Sequence, residues 1–217
     1  MGVNACFSGH GGTSAAAPLA AGIFALVLSV RPDLTWRDLQ YLTLETAVPM
    51  NEDDPDWKLT AIGKKFNHKY GYGKIDAWAI VQAAKDYKLV KPQAWYNSPV
   101  LTVMAPIPEG PKGLQTHIEI TADEIKSANL ARLEHVTVTV NAVHDLRGDM
   151  SVDLISPKGI VSHLATNRKF DKSKGGYKDW TFMSVKHWYA SFLFSFCVRW
   201  QLTGSGARNL SAHGQYW

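Results

Sequence analysis

The sequence predicts a helix-rich region followed by an all-β sandwich. Three observations carry that expectation. Up to about residue 88 the apolar residues recur with helical spacing, and from about residue 100 the spacing changes to two. Between them, Lys91-Pro92 and Asn97-Ser98-Pro99 supply helix-breaking and turn chemistry. The regions implied are 1–90, a linker over 91–99, a sandwich over 100–188 and an atypical tail over 189–217. At 217 residues and 46% hydrophobic, the chain has enough apolar surface for one or two packed cores.

The first helix is expected over residues 14–30. It is apolar on every side, which predicts burial all round. Its start is Gly11-Gly12-Thr13-Ser14-Ala15-Ala16-Ala17-Pro18, one hydroxyl among small residues that let another backbone approach. Pro18 has no N–H, so the Ser14 carbonyl loses its usual helical partner. Helix N–H groups and the positive dipole end favour a developing negative charge there. The plainer role for Ser14 is a helix N-cap. A nucleophile elbow, Gly-x-Ser-x-Gly, is not met, because the fifth position is Ala16.

Arg31-Pro32 stops this helix. Thr35-Trp36-Arg37-Asp38 is a capping-box pattern opening a second helix to about Ala47, with Trp36, Leu39 and Leu42 on one face and Pro49 beyond its end. Asn51–Asp56 is acidic but lacks EF-hand spacing, and reads as a solvated turn. In Tyr70-Gly71-Tyr72-Gly73-Lys74-Ile75-Asp76 the glycines permit a tight turn, and Asp76 caps a helix with Ala77, Ile80, Val81 and Ala84 on one face. Lys85 and Lys88 suit its C-terminal dipole.

In the second region, Leu101–Val103, His117–Ile120, Glu134–Val140, Val152–Ile155, Ile160-Val161 and Trp180–Val185 read as strands. Thr121–Glu124 caps a short helical turn. In Glu134–Val140 the valines share one face and the threonines the other, so one side packs and the other is wet. Ser156–Gly159 is a hairpin turn. Arg147-Gly148-Asp149 reads as a turn into the next strand rather than as an integrin-binding tripeptide. His135 reads as an outward or hydrogen-bonded histidine, not a ligand. Residues 189–217 are rich in aromatics, Ser and Gly and contain no Asp, Glu or Lys. This stretch reads as foreign to the domain, from a translated intron or shifted frame, with a divergent tail as the alternative. Asn209-Leu210-Ser211, a glycosylation sequon, lies within it.

The net charge of +4 comes from scattered basic residues, with Lys64-Lys65 as the longest run noted, which argues against nucleic-acid binding. No His-x-x-x-His or Cys-x-x-Cys spacing suggests zinc. Two cysteines, Cys6 and Cys197, make no disulfide framework, and sequence does not pair them. No secretory signal is visible at the first residues. Ala15–Val30 is shorter than the roughly 20 residues of a spanning helix and is interrupted by Pro18, Gly22 and Ser29, so a core helix is expected and no membrane segment.

The run from Gly12 to Pro18 resembles the nucleophile motif of subtilisin-like serine proteases. With His10-Gly11-Gly12 before it and Leu19-Ala20-Ala21-Gly22 after, it is most similar to the kexin/furin branch, the proprotein convertases. The Tyr70–Asp76 stretch resembles the lead into the last helix of their catalytic domain. Glu134–Val140, Arg147-Gly148, Val152–Gly159 and Asp179–Trp188 resemble their P domain. The resemblance spans about residues 6–188. It implies an α/β C-terminal portion of a subtilisin-like domain followed by a jelly-roll-like β-sandwich.

It also implies a calcium-dependent serine endopeptidase that cleaves precursors after paired basic residues in the secretory pathway, in the late Golgi or membrane-anchored. Ser14 would be the nucleophile and its backbone N–H an oxyanion donor. No calcium ligand is assigned in this chain. The family's cysteine before the serine motif pairs upstream, and Cys6 matches it. The family's Asp and His motifs and its oxyanion Asn lie far upstream of the serine, whereas Ser14 follows only 13 residues. His10 belongs to the nucleophile motif, not to a His-Gly-Thr base motif. The expected partners are precursors with dibasic sites and the N-terminal part of the catalytic domain. The chain alone is expected to be inactive. The alternative is a non-catalytic fragment, from an incomplete gene model, or a stabilising or binding sandwich.

Overall fold

The computed structural model describes residues 8–108, 110–188, 194–202 and 207–216, the last stretch as backbone. The chain divides into two compact units: residues to Pro55 with Lys69–Lys91, and Asp56–His68 with the residues from Pro92.

The described residues of the first unit hold helices α1 (Thr13–Val30), α2 (Trp36–Thr46) and α3 (Ala77–Lys85). The capping box at α2 is complete. Asp38 N–H donates to Thr35 Oγ1 at 3.3 Å, and Thr35 N–H donates to Asp38 Oδ2 at 2.8 Å. The other Asp38 oxygen accepts from Val90 N–H at 2.8 Å, so a local cap also anchors a remote strand of chain. Asp76 caps α3 by accepting from Ala79 N–H. Gly73, at φ 130°, lies so close to the Val48 carbonyl that a Cβ would overlap it. Its neighbour Lys74 forms a β-bridge to Val48. Arg31 Nη1 donates to the carbonyls of Ala84 and Tyr87, closing the end of α3. Lys88 lies beyond that end.

Val27, Leu34, Leu42, Ile80 and Ala84 form this unit's core. Two expectations are corrected here. Only Val27 of α1 is buried, and Leu19, Leu26, Leu28 and Val30 are exposed. A helix apolar all round needs neighbours on every side, and α3 is the helix that packs on it. By length and hydropathy α1 would also suffice to cross a membrane. Trp36 is likewise exposed, because the buried face of α2 runs through Asp38, Tyr41, Leu42 and Leu44 instead.

The second unit opens with a hairpin, β1 (Lys58–Leu59) and β2 (Lys65–Phe66). Then come β3 (Tyr96–Asn97), β4 (Leu101–Val103), β5 (Leu114–Ile120), α4 (Ala122–Ser127), β6 (Val136–His144), β7 (Met150–Ile155), β8 (Val161–Ala165), β9 (Tyr177–Ser184), β10 (Phe194–Leu202) and β11 (Ala207–Tyr216). One sheet runs β5-β10-β7-β8. The other runs β3-β11-β6-β9, with β4 also beside β11. All pairings are antiparallel. Val136, Val138 and Val140 of one sheet and Met150, Val152, Leu154, Val198 and Trp200 of the other share one core.

The valines of β6 face that core as expected, but Thr137 is buried too. The wet face begins at Thr139, whose hydroxyl meets that of Thr181 at 2.7 Å across the pair. Asn141 and Asp179 exchange hydrogen bonds where the register slips, which starts β9 three residues before Trp180. Arg147–Asp149 is a 3₁₀ turn leading directly into β7, as expected.

The expectation of a foreign tail is corrected. Phe196, Val198, Trp200 and Leu202 alternate into the core, and β10 lies between β5 and β7. The β11 backbone lies between β6 and the pair β3 and β4. Of the two roles expected for His135, the outward one is set aside. The residue is buried, its ring edge-on to Trp188 at 5.0 Å between centroids. Cys197 is buried and free, and Cys6 lies outside the described residues.

Candidate active site

The glycine before the serine motif starts the helix. Gly12 is the N-cap of α1, with φ 80° and ψ −170°, a backbone that glycine tolerates and other residues avoid. Its carbonyl accepts from the N–H groups of Ala15 and Ala16 at 3.1 and 3.2 Å. Thr13 and Ser14 are therefore the first two helical residues. No side chain caps the helix, which sets aside the N-cap role for Ser14. The serine is exposed, and a Cβ at Gly11 or Gly12 would meet nothing within 4 Å.

Two backbone consequences follow. An N–H in the first helical turn has no acceptor inside the helix, so Ser14 presents a donor beside its own hydroxyl. Pro18 lies inside α1 and offers no N–H to the Ser14 carbonyl. An exposed hydroxyl, an open approach and an uncommitted N–H can attack and stabilise an acyl group once a base is supplied.

Among the described residues, no side chain hydrogen-bonds the Ser14 hydroxyl. Among the described residues His–Asp pairs occur at His163–Asp153 and His68–Asp56, both in the second unit. His163 Nδ1 lies 2.6 Å from Asp153 Oδ1, and Arg199 Nη2 donates to the other Asp153 oxygen at 2.7 Å. His68 Nδ1 lies 2.9 Å from Asp56 Oδ2, and His68 Nε2 accepts from the His163 backbone N–H. Burial, then the nearby Lys186 charge, holds the His68 imidazole below its usual value. These pairs fasten the β1–β2 hairpin to β8, and sequence reading missed them because their partners lie 12 and 10 residues apart. Among the described residues no three His, Cys, Asp or Glu side chains gather to hold a metal, so no calcium ligand is assigned.

Comparison with known proteins fits this arrangement. The Subtilase family matches residues 2–73, and the Proprotein convertase P-domain family matches residues 133–192. The serine protease of Aeromonas sobria superposes with a TM-score of 0.80 at 19% identity, over 94% of this chain and 44% of that one. The fold is thus the C-terminal part of a subtilisin-like domain followed by a β-rich P domain. Among curated relatives, Protease KEX1 of Kluyveromyces lactis is 49% identical over 186 residues, 86% of this chain. Kexin of Saccharomyces cerevisiae is 45% identical over 204 residues, 94% of this chain. Human proprotein convertase subtilisin/kexin type 7 is 40% identical over 183 residues, 84% of this chain. Together these matches support a fragment of a kexin-type proprotein convertase. The chain spans about a quarter of the length of these relatives, 25%, 25% and 23% respectively.

Proposed function

We propose that this chain carries the nucleophile of a kexin-type serine endopeptidase, with Ser14 as the acylated residue and its N–H as an oxyanion donor. The observation that carries the reading is the exposed Ser14 in a glycine-capped first helical turn, with no partner among the described residues competing for its hydroxyl. The substrates are precursor polypeptides cut after paired basic residues, the specificity that gives a relative its name, the dibasic-processing endoprotease of Yarrowia lipolytica. The working compartment is the secretory pathway, late Golgi or a membrane-anchored form. Calcium supports the protease through residues not assigned in this chain. Residues 1–90 act as the peptidase part, 91–99 as linker and the residues from 100 onward as P domain, with β10 and β11 in its two sheets.

Serine hydrolysis needs an imidazole to take the hydroxyl proton and a carboxylate to orient it. Neither a His-Gly-Thr nor an Asp-Ser/Thr-Gly motif occurs in these 217 residues. A lone serine without base and carboxylate falls by about 10⁶ in turnover. The 217-residue chain by itself is therefore inactive.

The test has two arms. The chain alone is offered a fluorogenic Lys-Arg peptide with calcium, and no turnover is expected. The reading frame extended upstream is expected to cleave the peptide and to react with a fluorophosphonate at Ser14, both abolished by Ser14→Ala. An extended protein that cleaves with Ser14→Ala in place would overturn the assignment.

A further inference from the structure

The loop joining β8 to β9, with the first two residues of β9, holds five basic residues and one acid between Thr166 and Lys178: Arg168, Lys169, Lys172, Lys174 and Lys178 against Asp171. In sequence they are spread out and look like any solvated loop. The fold treats them unequally. Both nearby arginines converge on the acid. Arg147 Nε donates to Asp171 Oδ2 at 2.8 Å and Arg168 Nη2 to the same oxygen at 3.2 Å. Hydrogen bonds from Arg147 above all hold the Asp171 carboxyl far below the usual range. The acid is consumed inside the loop, and the four lysines remain exposed with no ion-pair partner among the described residues.

The loop base is pinned by backbone bonds. Gly148 N–H donates to the Asp171 carbonyl at 3.0 Å, Arg168 N–H to Gly148 at 2.8 Å, Arg147 N–H to Ser173 at 2.9 Å and Gly175 N–H to His144 at 3.0 Å. On this base Phe170 is 90% exposed. The segment bonded to the loop adds exposed Val143 and Leu146, with Asp145 as its exposed acid. An exposed hydrocarbon ring and exposed lysines on one preformed loop match an interface that is apolar inside and anionic at its rim.

We propose that this loop docks on an anionic lipid surface, with Phe170 entering the headgroup–acyl boundary and Lys169, Lys172, Lys174 and Lys178 facing lipid phosphates. The lysines are spread along one loop rather than clustered in a stripe, as a nucleic-acid footprint requires. An anionic lipid surface offers both kinds of contact in one occupant.

The test is co-sedimentation of the full chain with phosphatidylcholine vesicles, with and without about 20% phosphatidylserine. Binding is expected only with the anionic lipid, and to fall away at about 0.5 M NaCl. The triple variant K169Q/K172Q/K174Q should weaken it roughly 100-fold at about fivefold per lysine. An equal charge change elsewhere, K112Q/K126Q/K158Q, should leave most of it. Phe170→Ala should weaken binding roughly tenfold with the salt dependence unchanged. These side chains are exposed, and unchanged near-ultraviolet circular dichroism will show that the variants fold. Equal loss from both lysine triples, no effect of Phe170→Ala, or binding to heparin or oligonucleotide without binding to vesicles would each overturn the proposal.

Discussion

Acidification should destabilise the second unit through one imidazole, His187. The residue is 2% exposed and packs edge-on against Phe196 at 5.3 Å between ring centroids. Burial, reinforced by the Lys186 charge and opposed weakly by the Leu154 carbonyl, pushes its pKa down to about 4. An unfolded histidine titrates near 6.5. The folded state therefore binds fewer protons than the unfolded one between these values, and stability falls as pH falls through that window. At about pH 5 the difference amounts to roughly 2 kcal/mol relative to pH 7.5, and to about 3 kcal/mol near pH 4. His68 is shifted in the same direction and adds to the loss. The assay is urea unfolding of the full chain, followed by tryptophan fluorescence at pH 7.5 and 5, with His187→Leu beside the wild type. Leucine cannot take up a proton, so the variant should keep about 2 kcal/mol that the wild type loses. Equal losses in the two proteins would refute the assignment of the pH response to this ring.

Asp38→Ala should cost more than Thr35→Ala. The threonine change removes a cap worth about 1 kcal/mol, whereas the aspartate change also strips the acceptor from Val90 N–H, for about 2–3 kcal/mol in all. Chemical denaturation of the two variants gives the order. Gly148→Ala should lower stability by about 1–3 kcal/mol, because its Cβ would be driven onto the Arg168 and Asp171 carbonyls. A thermal melt reads that loss. Trp200→Ala should cost about 3–5 kcal/mol, since the indole is fully buried in the sandwich core. A near-wild-type melting point for that variant would remove β10 from the sheet.

The elements legible in the sequence are those whose partners lie within a few residues. Thr35 finds Asp38, Thr121 finds Glu124, and Asp76 finds the Ala79 N–H, all three residues ahead. Each such bond closes a ring of backbone too short for the rest of the chain to alter. The serine motif was equally local, a run of small residues entering an apolar helix. The structure added which residue does the capping: Gly12, with no side-chain cap from Ser14.

Where a contact spans the chain, sequence reading had less to hold. Phe196, Val198, Trp200 and Leu202 already alternate with strand period. Yet the absence of Asp, Glu and Lys around them suggested foreign sequence, because their partners sit on β5 and β7, about 80 and 40 residues away. The lysines beside Phe170 looked scattered until backbone bonds from Arg147, Gly148 and Gly175 closed the loop and Asp171 drew in both arginines. Local hydrogen-bonding preference and hydrophobic period, both properties of neighbouring residues, were thus set by the amino-acid order alone. Which strands adjoin, which charges cancel and which apolar side chains stay in water depend on residues far apart in the chain, and folding alone brings those together.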